Sequence, residues 1–200
     1  MFRILLFFIF HLVILTNGKT QNFDASLGLG LNASQIDGDL FAGYSKLGIN
    51  GGIEVGYTLN ESWRLLSGLS FQSIGSQKEL QLGSSTPEEQ QKIQLTYLSI
   101  PMMGAFLFKD SGFSGIGGGS VGTRRYRTFP DRTDEAILDF FNKTDVLLSL
   151  GINYRFSDFW SVEFFANESI SLLFNNKKIT QLNSNSLRNR YLSFVLKRHL

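Results

Sequence analysis

Apolar and polar residues alternate along most of this chain with a period of two, the spacing at which side chains of an extended strand point to opposite faces. Between positions 24 and 34, Ala25, Leu27, Leu29, Leu31 and Ala33 share one face, opposed by Asp24, Ser26, Gly28, Gly30, Asn32 and Ser34. A second run sets Leu47, Ile49, Ile53, Val55, Tyr57 and Leu59 against Gly48, Asn50, Gly52, Glu54, Gly56 and Thr58. Two further runs go from Val146 to Phe156 and from Trp160 to Ala166, with Arg155 on the polar face of one and Glu163 on that of the other. Other stretches are less regular. Residues 63–74 carry one apolar intruder, Leu66, on the polar face; residues 93–108 are apolar on both parities around Pro101; residues 113–123 are largely glycine. The end of the chain alternates through Leu192, Phe194 and Leu196 before Lys197 and Arg198. The pattern predicts eight strands, the glycine-rich fifth giving the faintest signal.

The connections alternate as strictly as the side chains. Those near 60, 110 and 158 are short, whereas those at 34–46, 75–92, 124–143 and 173–188 are long. An even-stranded barrel crossing an outer membrane has this asymmetry, with short periplasmic turns, long external loops and both termini inside. Strands of ten or more residues also suit a tilted crossing of the hydrocarbon, where an open sheet edge would leave backbone groups unpaired. The expected fold is therefore all-β: an eight-stranded antiparallel up-and-down transmembrane barrel. A soluble lipocalin-like barrel, with its apolar face turned inward around a small ligand, is the alternative. The polar faces favour the membrane reading, because they are rich in glycine and carry charges of both signs.

Two hairpins share a design. Tyr57 and Trp63 flank one short turn at the same spacing at which Tyr154 and Trp160 flank another, and an aromatic girdle at a membrane boundary calls for such residues. Within the lumen, Arg155 lies diagonally across a hairpin from Glu163, and Glu54 and Arg64 on neighbouring strands join the expected charge network.

The first twenty residues stand apart. Arg3 precedes a twelve-residue apolar stretch, Ile4 to Leu15, which is too short to span a bilayer and fits a cleaved export signal. Residues 1–20 are read as signal peptide and 21–200 as the barrel domain. Removing Arg3 and Lys19 from 19 basic residues leaves as many as the 17 acidic ones, so charge gives no reason to expect nucleic acid. The chain has no cysteine, which excludes disulfides, thiolate metal sites and a lipidated cysteine anchor.

Several stretches resemble the PorT-like outer-membrane β-barrel family of Gram-negative bacteria: "SQIDGD" at 34–39, "GYSKLG" at 43–48, "GLSFQSIGS" at 68–76, "YLSIP" at 97–101 and "LGINYRF" at 150–156. The likeness covers most of the expected mature chain. It departs at Ser99, where an acidic residue is usual, at Ala105, where a basic one is common, and at the terminal Leu200, where an aromatic is expected. The resemblance implies an outer-membrane barrel of the kind whose namesake is associated with protein secretion.

Catalytic patterns are thin. "GGSVG" at 118–122 fits the serine-elbow spacing around Ser120, but the basic "TRRYRTFPDRTDE" follows where a helix is required. His199 is the one histidine left once the signal is removed, and no cluster has metal-ligand spacing. No enzyme activity and no cofactor are expected. A lipid-modifying barrel enzyme is the less favoured alternative. A basic cluster, Arg124, Arg125, Arg127 and Arg132, falls in the expected third external loop, with Lys177, Lys178, Arg188 and Arg190 in the fourth. It suits phosphorylated headgroups of lipopolysaccharide, unless it is simply a solvated loop balanced by Asp131, Asp134 and Glu135. The expected role is structural or interactive: an envelope assembly or secretion accessory embedded in outer-membrane lipid, with a protein partner and a lumen too full to act as a general pore.

Overall fold

The computed structural model describes residues 22–38, 43–77, 92–128, 142–173 and 187–200, with backbone alone for 92 and 125–128. The expected signal segment, Arg132, Lys177 and Lys178 lie outside the described residues. Eight strands follow in order: β1 (Phe23–Asp37), β2 (Lys46–Thr58), β3 (Trp63–Gln77), β4 (Lys92–Leu107), β5 (Phe113–Thr128), β6 (Thr144–Arg155), β7 (Trp160–Ser169) and β8 (Arg188–His199). Each pairs antiparallel with its sequence neighbours, and β8 pairs with β1 to close the barrel. The glycine-rich β5 is fully formed over 16 residues.

Alternation sorts the side chains by face. Leu27, Leu29, Leu31, Ile49, Ile53, Leu150 and Ile152 are between 45% and 71% exposed, whereas Ser26, Asn32, Asn50, Ser149, Asn167 and Ser193 on the opposite parity are buried. The barrel is thus apolar outside and polar inside, which overturns the lipocalin-like alternative: a ligand-binding soluble barrel needs the reverse arrangement. Such an outer surface is stable only where lipid covers it.

The stagger of the strands follows from the register. From Ser34, paired residues run through Tyr191, Asn167, Ser149, Gly118, Met103, Leu66 and Gly56 back to β1 at Asp24, ten positions from the start. Eight strands with that shear tilt by roughly 40° and enclose a narrow interior. All nine of these residues lie on the inward parity, so this path decides which side chains share a level in the lumen.

The two irregular stretches now have causes. Leu66, the intruder on the polar face of β3, is buried against Ala105, Ile116 and Phe165. On β4, Pro101 has no N–H to give, and the β3–β4 pairing is interrupted between Ser67↔Met102 and Ser70↔Ser99 with its register unchanged. Nearer the long loops, a bulge pairs Thr96 with Tyr126 and Tyr97 with Arg124, leaving Arg125 as the extra residue. The repeated hairpin has a local reason as well. Asn60 Oδ1 accepts the Trp63 N–H at 3.0 Å, and Ser157 Oγ accepts the Trp160 N–H at 3.1 Å, so both turns are closed by a side chain three residues before the tryptophan.

Candidate functional site

The lumen is built in layers, and the first lies toward the short turns. Lys197 on β8 extends between two carboxylates, with Nζ 2.7 Å from Glu54 Oε2 on β2 and 2.8 Å from Glu163 Oε1 on β7. Asn153 on β6 donates to the same Glu163 oxygen at 3.1 Å. The Lys197 and Glu163 side chains are 8% and 3% exposed, so each charge depends on its partner rather than on water. Glu54 and Glu163, expected in one network, do meet, but through a lysine that strand alternation alone gave no reason to choose.

The expected arginines go elsewhere. Arg64 binds Asp24, across β2, where Gly56 intervenes. A Cβ at position 56 would stand 2.5 Å from Arg64 Nη2 and 2.8 Å from Asp24 Oδ1, so the glycine opens the path between them. Arg155 does not reach Glu163. Its Nη2 donates to the Asp158 carbonyl at 2.7 Å within the exposed turn. The register explains the correction: Glu163 pairs with Asn153, Arg155 pairs with Ser161 at the end of the strand, and Lys197 fills the position inside.

Leu66 on β3, Ala105 on β4 and Ile116 on β5 form an apolar cluster with Phe165, which reaches them from β7 beside the charged residues. Gly151 makes room for the Phe165 ring, since a Cβ there would lie 2.8 Å from its Cε1. Above them a cavity of about 100 Å³ is lined by Gly28, Gly52, Ser120, Asn167, Ser193 and the Glu54–Lys197–Glu163 group.

The long-loop end of the lumen is closed differently. Ile36, Ile74, Leu95, Tyr97, Leu147, Leu173 and Tyr191 form a cluster in which none is more than 2% exposed. Polar groups thread through it. Tyr191 donates to Gln72 Oε1 at 2.5 Å. Asp145, buried on β6, accepts from Ser171 Oγ at 2.6 Å and Asn189 Nδ2 at 2.7 Å, and also from Ser169. Asn189 extends the chain to the Tyr97 hydroxyl at 3.4 Å. A belt between plug and cavity ties Asn50 Nδ2 to Asn32 Oδ1 at 2.5 Å and Ser193 Oγ to the same oxygen at 2.8 Å.

On the outer surface at the short-turn end, the four aromatic residues of the repeated hairpins have ring or cation partners. Tyr57 packs on Phe23 with centroids 4.8 Å apart, Trp63 on Phe106 at 5.1 Å and Tyr154 on Phe113 at 4.5 Å. The Arg198 guanidinium lies 5.3 Å from the Trp160 ring. Phenylalanines at 23, 106 and 113 therefore extend the set that the tyrosine and tryptophan repeat indicated.

The basic cluster is placed differently from expectation. Arg124, Arg125 and Arg127 belong to β5, which runs on to Thr128, and not to a loop. Arg188 and Arg190 likewise begin β8. Ser120 lies buried in mid-strand, opposite Pro101 and Leu147, with no turn or helix after it, so the serine-elbow pattern is a barrel strand. His199 bonds Ser161 Oγ at 2.9 Å at the far rim, away from Ser120.

Residues 18–175 match the family described as outer membrane protein beta-barrel domain. The fold is similar to that of Neisserial surface protein A, at 12% identity and a TM-score of 0.52, with 87% of this chain and 96% of that one covered. It is also similar to Ail, the attachment invasion locus protein of Yersinia pestis, at 10% identity and a TM-score of 0.49, covering 90% and 99% in the complex with the heparin analogue sucrose octasulfate. No curated protein matches it.

Proposed function

The chain belongs to the outer membrane protein beta-barrel domain family, and on that footing we propose that it serves the envelope as an interaction or assembly barrel and not as a diffusion pore. The observation that carries this reading is the plug. Seven apolar or aromatic residues, none more than 2% exposed, cross the lumen at the long-loop end, and the Glu54–Lys197–Glu163 group occupies its other half. A lumen filled in this way leaves the loops and rims as the surfaces open to a partner. The stretches resembling PorT-like barrels point to a secretion accessory as the finer role.

Planar-bilayer recording of the purified barrel tests the closed lumen. The expected result is no steady conductance, and stable ohmic steps would overturn the reading. Capture by photo-crosslinking from residues 40, 85, 135 and 180 tests the interaction role, with a discrete envelope protein as the expected product.

Contact with lipopolysaccharide phosphates through Arg125, Arg127 and Arg132 is part of the same proposal, Arg124 being paired with the plug residue Tyr97 on the inward parity of β5. Replacing those three with Gln is expected to lower the lipopolysaccharide that copurifies, and unchanged copurification would remove this element.

A further inference from the structure

The lumen cavity between the plug and the charged group holds an unmatched charge. Of the residues that line it, Glu54 and Glu163 are acidic and Lys197 alone is basic, so the group sums to one negative charge. The arginines nearer the rim do not make up the difference. Arg64 is matched by Asp24, and Arg155 turns outward to the Asp158 carbonyl. With Glu163 only 3% exposed, that excess charge favours a second cation beside it.

The carboxylates have oxygens to offer one. Lys197 and Asn153 both meet Glu163 at Oε1, and Lys197 meets Glu54 at Oε2. Glu163 Oε2 and Glu54 Oε1 have no hydrogen bond among the described residues. On the plug side of the cavity, Ser120 is in the same condition. It pairs across the sheet with the plug residue Leu147, is 6% exposed and lines the cavity. Ser149 and Ser193 bond Asn167 and Asn32, whereas Ser120 Oγ bonds nothing among the described residues. A buried hydroxyl without a partner is uncommon and marks a place for a ligand atom.

Pro101, Met103, Phe165 and Val195 form the apolar wall between these ends. A bare metal ion would meet that wall with too few oxygens around it, whereas a short alkyl chain would pack on it. The volume of about 100 Å³ is smaller than the roughly 150 Å³ that accepts benzene, which limits an occupant to about five non-hydrogen atoms. We propose that the cavity binds a short primary amino alcohol, its ammonium at Glu54 and Glu163, its methylenes along Met103 and Phe165, and its hydroxyl at Ser120. The site does not use the loops or rims, so its failure leaves the proposed interaction role standing.

The test is calorimetric titration of 3-aminopropan-1-ol into the full barrel in nonionic micelles at neutral pH. The expected result is saturable one-to-one binding, half-complete at about 1 mM, a reachable affinity for so few atoms. Butan-1-ol lacks the charge and the N-trimethyl derivative lacks N–H donors, and each should bind at least about tenfold more weakly. Glu163→Gln should abolish binding. Ser120→Ala should weaken the amino alcohol by about threefold to tenfold and leave propylamine unchanged, a split that general damage to the barrel would not produce. Heat-dependent mobility in SDS checks folding; should Glu163→Gln fail to fold, Ser120→Ala decides. No saturable binding by the unaltered protein, equal binding of butan-1-ol, binding that survives Glu163→Gln, or full affinity for the amino alcohol in Ser120→Ala would overturn the proposal.

Discussion

The two ends of the lumen are both sealed by inward-facing side chains, yet by opposite physics. Toward the short turns, Lys197 is held between Glu54 and Glu163, and each charge is tolerated only because the others are present. Toward the long loops, Tyr97, Leu147, Tyr191 and their neighbours exclude water by packing, and hydrogen bonds satisfy the polar atoms among them. The charged end is stable as a set and fragile to the loss of one member. The packed end should lose stability in proportion to the volume removed.

Lys197→Met is the largest expected effect. It leaves the buried Glu163 and the part-buried Glu54 without their cation, and stranding a buried charge costs about 3–5 kcal/mol in comparable cases. Urea unfolding in lipid vesicles, followed by the fluorescence of Trp63 and Trp160, measures it. Adding Glu163→Gln and Glu54→Gln should recover much of the loss, because no stranded charge then remains. If the triple variant is no better than the single one, the ionic account of this end fails.

Leu147→Ala at the packed end should cost about 2–4 kcal/mol through lost contact and the cavity it leaves. Here no second substitution of charge should rescue it. A Leu147→Ala loss larger than that of Lys197→Met would reverse the ranking and make the plug the main determinant. Tyr191→Phe probes the same end more gently. It removes the donor to Gln72 but keeps the ring, for about 1 kcal/mol.

Much of this architecture was legible from alternation alone, since parity decides facing and loop length decides which end is which. What parity does not carry is the level at which two inward residues meet. That depends on the ten-residue shear, which arises only when β8 closes on β1. Lys197 and Glu54 are 143 positions apart, and nothing local joins them. Arg155 looked like the partner of Glu163 because the hairpin brings them diagonal, but β8 on the far side of β7 places a lysine nearer. Leu66 looked out of place for the same reason: its companions Ala105, Ile116 and Phe165 come from three other strands. The basic residues at 124–127 were misread because strand continuation and loop have the same polar composition once a strand rises past the membrane.

The Asp24–Arg64 pair is the smallest and sharpest case. Its side chains are 37% and 17% exposed, so solvent screens it and its loss should cost roughly 0.5 kcal/mol. Gly56→Ala should cost about as much, because the added methyl meets the movable ends of Arg64 and Asp24. Gly52→Ala is the control: there the methyl meets backbone, with Ser70 Cα at 3.0 Å, and the loss should reach about 1–3 kcal/mol. The discriminating measurement is Gly56→Ala in an Asp24→Ala, Arg64→Ala background, which removes both side chains that the added methyl would meet. With the ion pair already gone, the glycine has nothing left to make room for, and the added methyl should be nearly silent. An undiminished cost would mean that Gly56 serves the backbone of β2 and not the charge path above it, and that charge pairing at this rim owes nothing to the glycine between the partners.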